Sequence, residues 1–317
     1  MKLLITGAAG FIGYHLCRSL LDDGYDILGI DSISAYYDQN LKKDRLDTLK
    51  SYGNFFFKKL DISNKSSLEK LFQSFSPEKV VNLSAQPSVR HSISNPYDYL
   101  KPNLIGFMNI IELCRNYSIK GLIYASSSSV YGENIKIPFD VADRANQPLT
   151  VYGATKRSNE LIAHSYSELY DLHTTALRYF SVYGPWCRPD MAIPIFINNI
   201  LNRKTLIVFN NGKIKRDFTY IDDIVIGTRS AIDKNYKCEI FNLGNNKSVD
   251  LLKVIKLIES ELGIKAVIRY ENSEPGDMIE TFSDNKYSYN KIGYKPKTKI
   301  NSGISEVIKW YKEYYKY

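Results

Sequence analysis

The sequence predicts an α/β protein built on a doubly wound parallel sheet, with a smaller C-terminal α/β lobe. Short, almost wholly apolar runs alternate with longer helical patterns in the first half of the chain. A glycine-rich turn joins the first run to the first helical pattern. The chain has 317 residues, of which 44% are hydrophobic, so it can bury a full core without disulfide or metal cross-links.

Five apolar runs are predicted to be strands buried on both faces, because the strands of a covered parallel sheet read as continuous apolar segments. These runs are residues 3–5, 27–30, 80–83, 122–125 and 175–180. Helices are predicted between them, including one over residues 10–23 and one over residues 152–170. Parallel strands require such crossover helices, which cover both faces of the sheet.

The turn after the first strand contains Gly7, Gly10 and Gly13 and opens a helix. Glycines let the backbone turn tightly and approach a pyrophosphate, whose charge is met by the free N–H groups of the helix terminus. Asp31 ends the next strand, where a carboxylate accepts hydrogen bonds from the adenosine ribose and repels a 2′-phosphate. The pattern therefore predicts a Rossmann domain that binds NAD rather than NADP. Asp61 closes a further strand and is a candidate contact for the adenine edge.

The alternation of runs and helices loosens after residue 184. We assign residues 1–184 to the NAD-binding Rossmann domain and residues 185–317 mainly to a smaller substrate lobe, with segments that interleave. In this second part we expect a hairpin-like turn at residues 210–212 and helices near residues 193–201, 249–262 and 304–315. The basic, aromatic C-terminus is predicted to pack its rings on the core, with a membrane-surface helix as the alternative.

Composition excludes several classes of protein. Lys and Arg exceed Asp and Glu by 42 to 34, but no run of five like charges occurs, so a nucleic-acid-binding arm is not indicated. The diffuse positive charge suits a small anionic ligand. No apolar stretch approaches the roughly 18 residues of a membrane span. The four cysteines form no CxxC pair, so we expect no metal site, no disulfide framework and a cytoplasmic location.

Two further features predict chemistry on a hydroxyl group. Tyr152 and Lys156 lie four residues apart on a predicted helix and share one face. A neighbouring ammonium and a bound nicotinamide would lower the pKa of Tyr152, which could then act as a general base. Four serines, Ser126 to Ser129, follow the fourth predicted strand at the edge where ligands bind in such sheets. They could donate hydrogen bonds to a sugar or satisfy their own backbone.

The glycine turn, Asp31, Asp61, the serine cluster and the Tyr152/Lys156 pair together resemble the extended short-chain dehydrogenase/reductases that act on nucleotide sugars. The resemblance covers essentially the whole chain and is greatest to the UDP-glucuronate 4-epimerases. The segments that carry this similarity are residues 35–38, 85–86, 89–90, 126–132, 179–191 and 216–223.

The resemblance implies an NAD-dependent 4-epimerase that converts UDP-glucuronate to UDP-galacturonate through a transient 4-keto sugar. Ser127 would bond the substrate O4, Tyr152 would be the acid and base, and Lys156 would hold the nicotinamide ribose. The further cofactor contacts that it implies are Phe11, Ile12, Ile62, Leu83, Ala85, Gln86, Asn103 and Phe180. It also implies a homodimer joined by the helices near residues 97–117 and 152–170, although their apolar stripes could equally face the sheet.

The same resemblance assigns residues to the sugar nucleotide. Arg188 would grip the C5 carboxylate in two-point fashion, with further hydrogen bonds from Ser127, Ser128 and Ser181. Arg216 would bind the diphosphate. Arg90 would lie near the sugar loop, and Asp277 on the uridine side.

Substrate choice stays open at this stage. Dehydratases and decarboxylases of the superfamily need an acid where this chain has Ser128 and Ser129. The sequence departs from the uronate epimerase pattern at the sugar end of the site, at Asn82, Pro87-Ser88, Ser181 and Cys187. UDP-glucose and UDP-N-acetylglucosamine 4-epimerases therefore remain alternatives. A non-catalytic NAD-binding relative is the alternative from a different class, because this fold does not itself specify catalysis.

Overall fold

The centre of the fold is a seven-stranded sheet. The computed structural model describes residues 1–272 and 278–317. Its strands are β1 (Lys2–Thr6), β2 (Asp26–Asp31), β3 (Phe55–Lys59), β4 (Lys79–Asn82), β5 (Leu122–Ser127), β6 (Thr174–Tyr179), β7 (Ser181–Tyr183), β8 (Thr205–Phe209), β9 (Lys215–Arg216), β10 (Phe218–Tyr220), β11 (Cys238–Leu243), β12 (Val249–Asp250), β13 (Val267–Glu271) and β14 (Glu280–Thr281). The large sheet has the order β11-β6-β5-β4-β1-β2-β3, and all its neighbours are parallel.

Helices connect these strands and cover the sheet. They are α1 (Phe11–Asp22), α2 (Gln39–Lys50), α3 (Lys65–Phe75), α4 (Val89–Ser94), α5 (Gly106–Asn116), α6 (Val151–Tyr170), α7 (Ala192–Leu201), α8 (Ile221–Lys234), α9 (Leu251–Leu262), α10 (Lys286–Ile292) and α11 (Ile300–Tyr315). A π-helical turn, Leu100–Ile105, precedes α5. Short 3₁₀ turns lie at Pro96–Tyr99, Ser128–Tyr131 and Asn210–Gly212.

The predicted fold class is confirmed. All five predicted runs form strands of the large sheet, and β4 and β6 are buried along their whole length. Two strands of the sheet lie outside these five runs. The edge strand β3 is the further strand predicted before Asp61, and its Phe56 and both lysines are exposed, so it lacks a wholly apolar run. In β11, Glu239 interrupts the apolar pattern.

Residues after 184 also contribute to the large sheet and to the helices that cover it. Strand β11 pairs with β6 and so completes the large sheet from the second half of the chain. Helix α8 packs beside α1, where Arg229 donates a hydrogen bond to the Ser19 carbonyl at 3.1 Å. The predicted hairpin at residues 210–212 is wrong, because β8 pairs in parallel with β13 whereas β9 lies between β12 and β14.

The C-terminal helix α11 packs its aromatic rings on the core, as predicted. Tyr311 is buried, and the Trp310 ring stacks on Tyr314 with 5.5 Å between ring centroids. The Trp186 ring meets Tyr314 edge-on at 5.3 Å. Among residues 1–272 and 278–317, no helix has the length and apolar character needed to cross a membrane.

Candidate active site

A cavity of about 850 Å³ opens along the carboxyl edge of the large sheet. Its lining takes Gly7 after β1, Asp31 at the end of β2, Leu83 after β4, Ser127 at the end of β5 and Phe180 after β6. Ligands bind at this edge in open α/β sheets, where the ends of several strands converge. The cavity continues beyond the sheet to β8, β9 and the start of α9.

Most of the predicted site residues line this cavity. They are Gly7, Gly10, Phe11, Ile12, Gly13, Asp31, Asp61, Ile62, Leu83, Ala85, Gln86, Arg90, Ser127, Tyr152, Lys156, Phe180, Ser181, Arg188 and Arg216. Two predicted contacts, Asn103 and Ser128, are not among the lining residues. Asp277 lies outside the described residues. The structure thus brings together side chains that the sequence spreads over more than 200 positions.

The glycine turn is built for a close backbone approach. Gly7 has φ +72°, and a Cβ on it would lie 2.9 Å from the Leu83 carbonyl carbon. A Cβ on Gly13 would lie 2.0 Å from the Gly7 oxygen. Gly10 is the N-cap residue of α1, which has no side-chain cap and no acidic residue in its first turn. Its terminal N–H groups therefore face the cavity edge without a protein anion, which fits the pyrophosphate of a dinucleotide.

Asp31 is held in the lining of this cavity by backbone hydrogen bonds from the turns around it. Its two carboxylate oxygens accept hydrogen bonds from the backbone N–H groups of Ile33 at 2.8 Å and Ala9 at 3.1 Å. Burial raises the pKa of Asp31, and these N–H groups and the ammonium of Lys42 oppose the rise. Lys42 itself lines the cavity and donates to the Ser34 carbonyl at 2.8 Å.

Asp61 follows β3 and also lines the cavity. Burial favours its protonated form, but the backbone N–H of Ser63 and the ammonium of Lys101 outweigh that effect and hold the pKa of Asp61 below its usual value. The carboxylate and the Lys101 ammonium are 3.7 Å apart. Asp61 is therefore an ionised acceptor in the cavity lining.

Asn103 supports the cavity wall from behind. Its side-chain oxygen accepts from the Gln86 N–H at 2.7 Å, and its amide nitrogen donates to the Gln86 carbonyl at 3.2 Å and to Thr155 at 3.1 Å. The residue sits in the π-helical turn, a geometry that often redirects a side chain at a functional site. Asn103 thus fixes the loop that carries Ala85 and Gln86 against α6.

Helix α6 carries Tyr152 and Lys156 to the middle of the cavity. Thr150 caps the helix by accepting from the Gly153 N–H at 3.2 Å, which fixes where it begins. Tyr152 shares a hydrogen bond with Ser127. The Lys156 ammonium lies 6.0 Å from the centre of the Tyr152 ring and donates to the Ala125 carbonyl at 2.8 Å. Ser127, Tyr152 and Lys156 therefore meet where β5 ends and α6 begins.

The pKa values of Tyr152 and Lys156 differ from the sequence-based expectation that Lys156 lowers the pKa of Tyr152. Burial raises the pKa of Tyr152, while the hydrogen bond from Ser127 and the charge of Arg188 oppose the rise. The expected lowering by Lys156 is not found, because that ammonium is directed to Ala125. Burial lowers the pKa of Lys156 to about 8. The charge of Arg188 therefore favours the Tyr152 phenolate.

The serine cluster divides into structural and cavity-facing hydroxyls. Ser126 donates to the Glu160 carboxylate at 2.6 Å, within a buried network that also holds Arg178 at 2.9 Å. Ser127 faces the cavity and contacts the Ser129 hydroxyl at 3.1 Å. The cluster therefore provides one hydroxyl beside Tyr152, and Ser126 anchors the end of β5 to α6 through Glu160.

Arginines line the part of the cavity that extends beyond Tyr152. The Arg90 guanidinium lies over the Phe209 ring, 4.2 Å from its centre. Arg216 donates to the carbonyl groups of Lys215 at 2.9 Å and Ile279 at 3.4 Å. Arg188 makes a two-point ion pair with Asp190. Three arginines in the lining of one cavity suit a ligand with several negative charges.

Sequence reasoning missed many of the lining residues, among them Tyr36, Lys42, Asp190 and Phe209. Lys42 sits among apolar positions of α2, but an isolated lysine in a helix carries no recognisable signal. Tyr36 and Asp190 fall inside segments that are similar to the family. The similarity did not predict that their side chains contact each other in the cavity. Among the described residues, no three His, Cys, Asp or Glu side chains are grouped so as to hold a metal ion.

Comparison with known proteins settles the family. A sequence profile described as the NAD dependent epimerase/dehydratase family matches residues 3–244. The chain belongs to this family. Its members use NAD, and the cradle formed by the glycine turn, α1 and Asp31 fits that cofactor. The chain is therefore an NAD-dependent epimerase built on the extended short-chain dehydrogenase/reductase fold.

Individual members of the family resemble the whole chain. Protein CapI of Staphylococcus aureus is 46% identical, with full coverage of both chains. The crystal structure of UDP-glucuronic acid 4-epimerase from Bacillus cereus, in complex with UDP-glucuronic acid and NAD, is 35% identical. It has a TM-score of 0.94 and covers 99% of this chain and 100% of that one. UDP-glucose 4-epimerase from Thermotoga maritima, crystallised with UDP-glucose, is 29% identical, with a TM-score of 0.91 and coverage of 99% and 100%.

Proposed function

We propose that this epimerase interconverts UDP-glucuronate and UDP-galacturonate by inverting carbon 4 of the sugar. The observation that carries the proposal is that Arg188, Ser127 and Tyr152 line one cavity, in which the charge of Arg188 favours the phenolate form of Tyr152. A guanidinium is well suited to bind a carboxylate at two points. At this position it would hold the carboxylate of a sugar whose neighbouring C4 hydroxyl reaches Tyr152.

The side chains of this chain divide the work around carbon 4. Tyr152 takes the proton of the C4 hydroxyl and later returns it to the inverted alcohol. The Ser127 hydroxyl bonds the same oxygen in its alcohol and keto forms, and Lys156 orients the nicotinamide ribose. Bound NAD supplies the acceptor, and then the donor, of the C4 hydride. Arg188 fixes the carboxylate of the keto sugar and so resists loss of CO₂ from it.

The remaining predicted contacts are assigned to the UDP portion of the substrate and to the sugar carboxylate. Arg216 would bind the diphosphate, and Arg90 would lie between that group and the sugar. Ser181 could bond the sugar carboxylate from the β7 side of the cavity. Asp277, which lies outside the described residues, stays a predicted contact on the uridine side. These assignments order the ligand along the cavity from β9 to Tyr152.

A neutral UDP-hexose is the second candidate substrate. The Arg188 guanidinium is already engaged by Asp190, so the sugar end of the cavity does not present an unopposed positive charge. UDP-glucose and UDP-N-acetylglucosamine would each place an uncharged C6 hydroxymethyl group there. Ser127, Tyr152 and Lys156 converge in the cavity, which argues against the alternative that the protein binds NAD without catalysing a reaction.

Incubation with a panel of UDP-sugars tests the proposal. The purified protein, with NAD added, is given UDP-glucuronate, UDP-glucose and UDP-N-acetylglucosamine in separate reactions, and the products are separated by anion-exchange chromatography. We expect UDP-galacturonate to form fastest. If UDP-glucuronate stayed unchanged while a neutral sugar was epimerised, the second candidate would replace the first. Lack of turnover of all three would contradict the proposed chemistry.

We also propose that the protein acts as a cytoplasmic homodimer. The helical segments from residue 93 to residue 116, together with α6, expose large apolar side chains: Ile93, Tyr97, Leu100, Ile105, Met108, Leu161 and Leu169. Apolar surface of this extent is typical of an interface between subunits. Light scattering coupled to size-exclusion chromatography should give twice the chain mass of 36.4 kDa. A mass of one chain at micromolar concentration would contradict the dimer.

A further inference from the structure

An ion pair between two lining residues occupies the sugar end of the cavity. Arg188 and Asp190 lie between β7 and α7, and both face the cavity. The Arg188 Nε donates to Asp190 Oδ1 at 2.9 Å, and Nη2 donates to Oδ2 at 2.8 Å. This parallel arrangement uses the guanidinium edge that a carboxylate prefers. The chain therefore presents its own carboxylate to the arginine assigned to the substrate.

Tyr36 holds Asp190 from the other side. Its hydroxyl donates to Asp190 Oδ2 at 3.2 Å, and its ring meets the His91 ring edge-on with 5.1 Å between centroids. Burial favours the neutral acid, but the two donors outweigh it and keep the pKa of Asp190 below its usual value. Asp190 is thus an ionised carboxylate that is fixed by two donors from different segments of the chain.

The fixed pair treats charged and uncharged sugars differently. A sugar carboxylate that approaches the Nε and Nη2 edge of Arg188 meets the like charge of Asp190 on that same edge. A hydroxymethyl group meets no such repulsion, because its hydroxyl can donate to Asp190 and accept from Arg188. The side chains of the pair keep 20% and 28% of their surface exposed, so the pair can exchange partners within the cavity.

We propose that Asp190 is a specificity-determining residue that competes with the carboxylate of the substrate for Arg188. This inference rests on the proposed function, because it takes the cavity to hold a UDP-sugar with its C6 group at Arg188. A uronate binds when its carboxylate replaces Asp190 on the guanidinium. A neutral hexose binds with the pair intact. Asp190 thereby reduces the affinity of the enzyme for charged sugars relative to its affinity for uncharged sugars.

Calorimetric titration of the NAD-loaded Asp190→Asn variant tests this role. The dissociation constants for UDP-glucuronate, UDP-glucose and UDP are measured for the wild type and the variant, because asparagine keeps the shape of aspartate without its charge. We expect the affinity for UDP-glucuronate to rise about three- to tenfold relative to that for UDP-glucose, as befits a partly exposed ion pair. The affinity for UDP should stay the same. An unchanged or lower ratio would overturn the proposal.

Two further variants keep the test specific. Glu271→Gln removes the carboxylate from the Arg269–Glu271 pair, which has the same i, i+2 spacing but does not line this cavity. It should leave the ratio unchanged, and a rise equal to that of Asp190→Asn would overturn the proposal. Tyr36→Phe removes one donor from Asp190 and should raise the ratio by a smaller factor. If Asp190→Asn did not fold, an unchanged ratio in Tyr36→Phe would refute the role of Asp190.

The readouts separate this inference from the proposed function. Absence of epimerisation with any UDP-sugar would contradict the proposed function, whereas the binding ratios would still measure the competition at Arg188. Normal epimerisation by the wild type, with a binding ratio that does not respond to Asp190→Asn, would contradict the inference alone.

Discussion

The glycine turn makes a quantitative prediction for Gly13→Ala. A Cβ at this position would lie 2.0 Å from the Gly7 carbonyl oxygen and 2.8 Å from its carbonyl carbon. Ordinary contact of a Cβ begins at 3.4 Å, so the new methyl group is about 1.4 Å too close to the oxygen. The obstructing atoms belong to the backbone and cannot rotate away as a flexible side chain could. The substitution must therefore move the start of α1 away from the turn.

The size of the effect follows from this displacement. Forcing an extra methyl group into a closely packed region costs about 1–3 kcal/mol, so we expect the free energy of unfolding to fall by that amount. The N–H groups at the start of α1 would also be misplaced by about 1 Å relative to the pyrophosphate. Such a shift weakens charge-assisted hydrogen bonds, and we expect NAD to bind at least about tenfold more weakly.

Calorimetric titration of NAD into cofactor-stripped protein, together with urea unfolding, measures both effects. Gly53→Ala is the matched control, because a Cβ on Gly53 has no atom within 4 Å. The control should bind NAD like the wild type. If Gly13→Ala bound NAD within twofold of the wild type and unfolded at the same urea concentration, the tight turn would not be the cofactor cradle that we describe.

Three further predictions concern the side chains of the site. Tyr152→Phe should keep the fold and NAD affinity but lose at least about 100-fold in kcat, because it deletes the acid and base alone; near-normal kcat would refute that role. Arg188→Ala should reduce kcat/KM for UDP-glucuronate about tenfold more than for UDP-glucose, and equal losses would show that Arg188 does not bind the carboxylate. Lys156 is buried, and its pKa is lowered from 10.5 in the unfolded chain to about 8 in the folded protein. The buried charge therefore destabilises the folded state at low pH, and this penalty disappears as the pH rises from 8 to 10.5. The unfolding free energy of the wild type should therefore rise by roughly 3 kcal/mol relative to Lys156→Met between pH 7 and pH 10.5, and parallel pH curves would contradict the burial of the charge.

Local patterns predicted the part of the site that depends on local structure. The turn at Gly7, the acid at Asp31 and the pair Tyr152 and Lys156 are set by short spacings along one strand or one helix. Their places in the structure follow from that periodicity and from the rule that parallel strands present their carboxyl ends at one edge. The cavity accordingly brings them to the same edge of the sheet.

Contacts between distant segments could not be predicted in this way. The Ser126 hydroxyl serves the buried Glu160 instead of a ligand, and Asn103 braces Gln86 instead of lining the cavity. Nothing in the sequence around Arg188 shows that Asp190 turns back to occupy its guanidinium. The pKa of Tyr152 also depends on contacts between distant segments. The Lys156 ammonium donates to the Ala125 carbonyl, and the charge that favours the Tyr152 phenolate comes from Arg188.

The central claim is that one hydrogen leaves carbon 4 and returns to the same carbon from the opposite face. UDP-glucuronate labelled with deuterium at C4 tests it directly, with mass spectrometry and proton NMR of the 4-epimer formed in ordinary water. The account predicts UDP-galacturonate that retains the deuterium at C4. A product that had exchanged this deuterium for a solvent proton would contradict it.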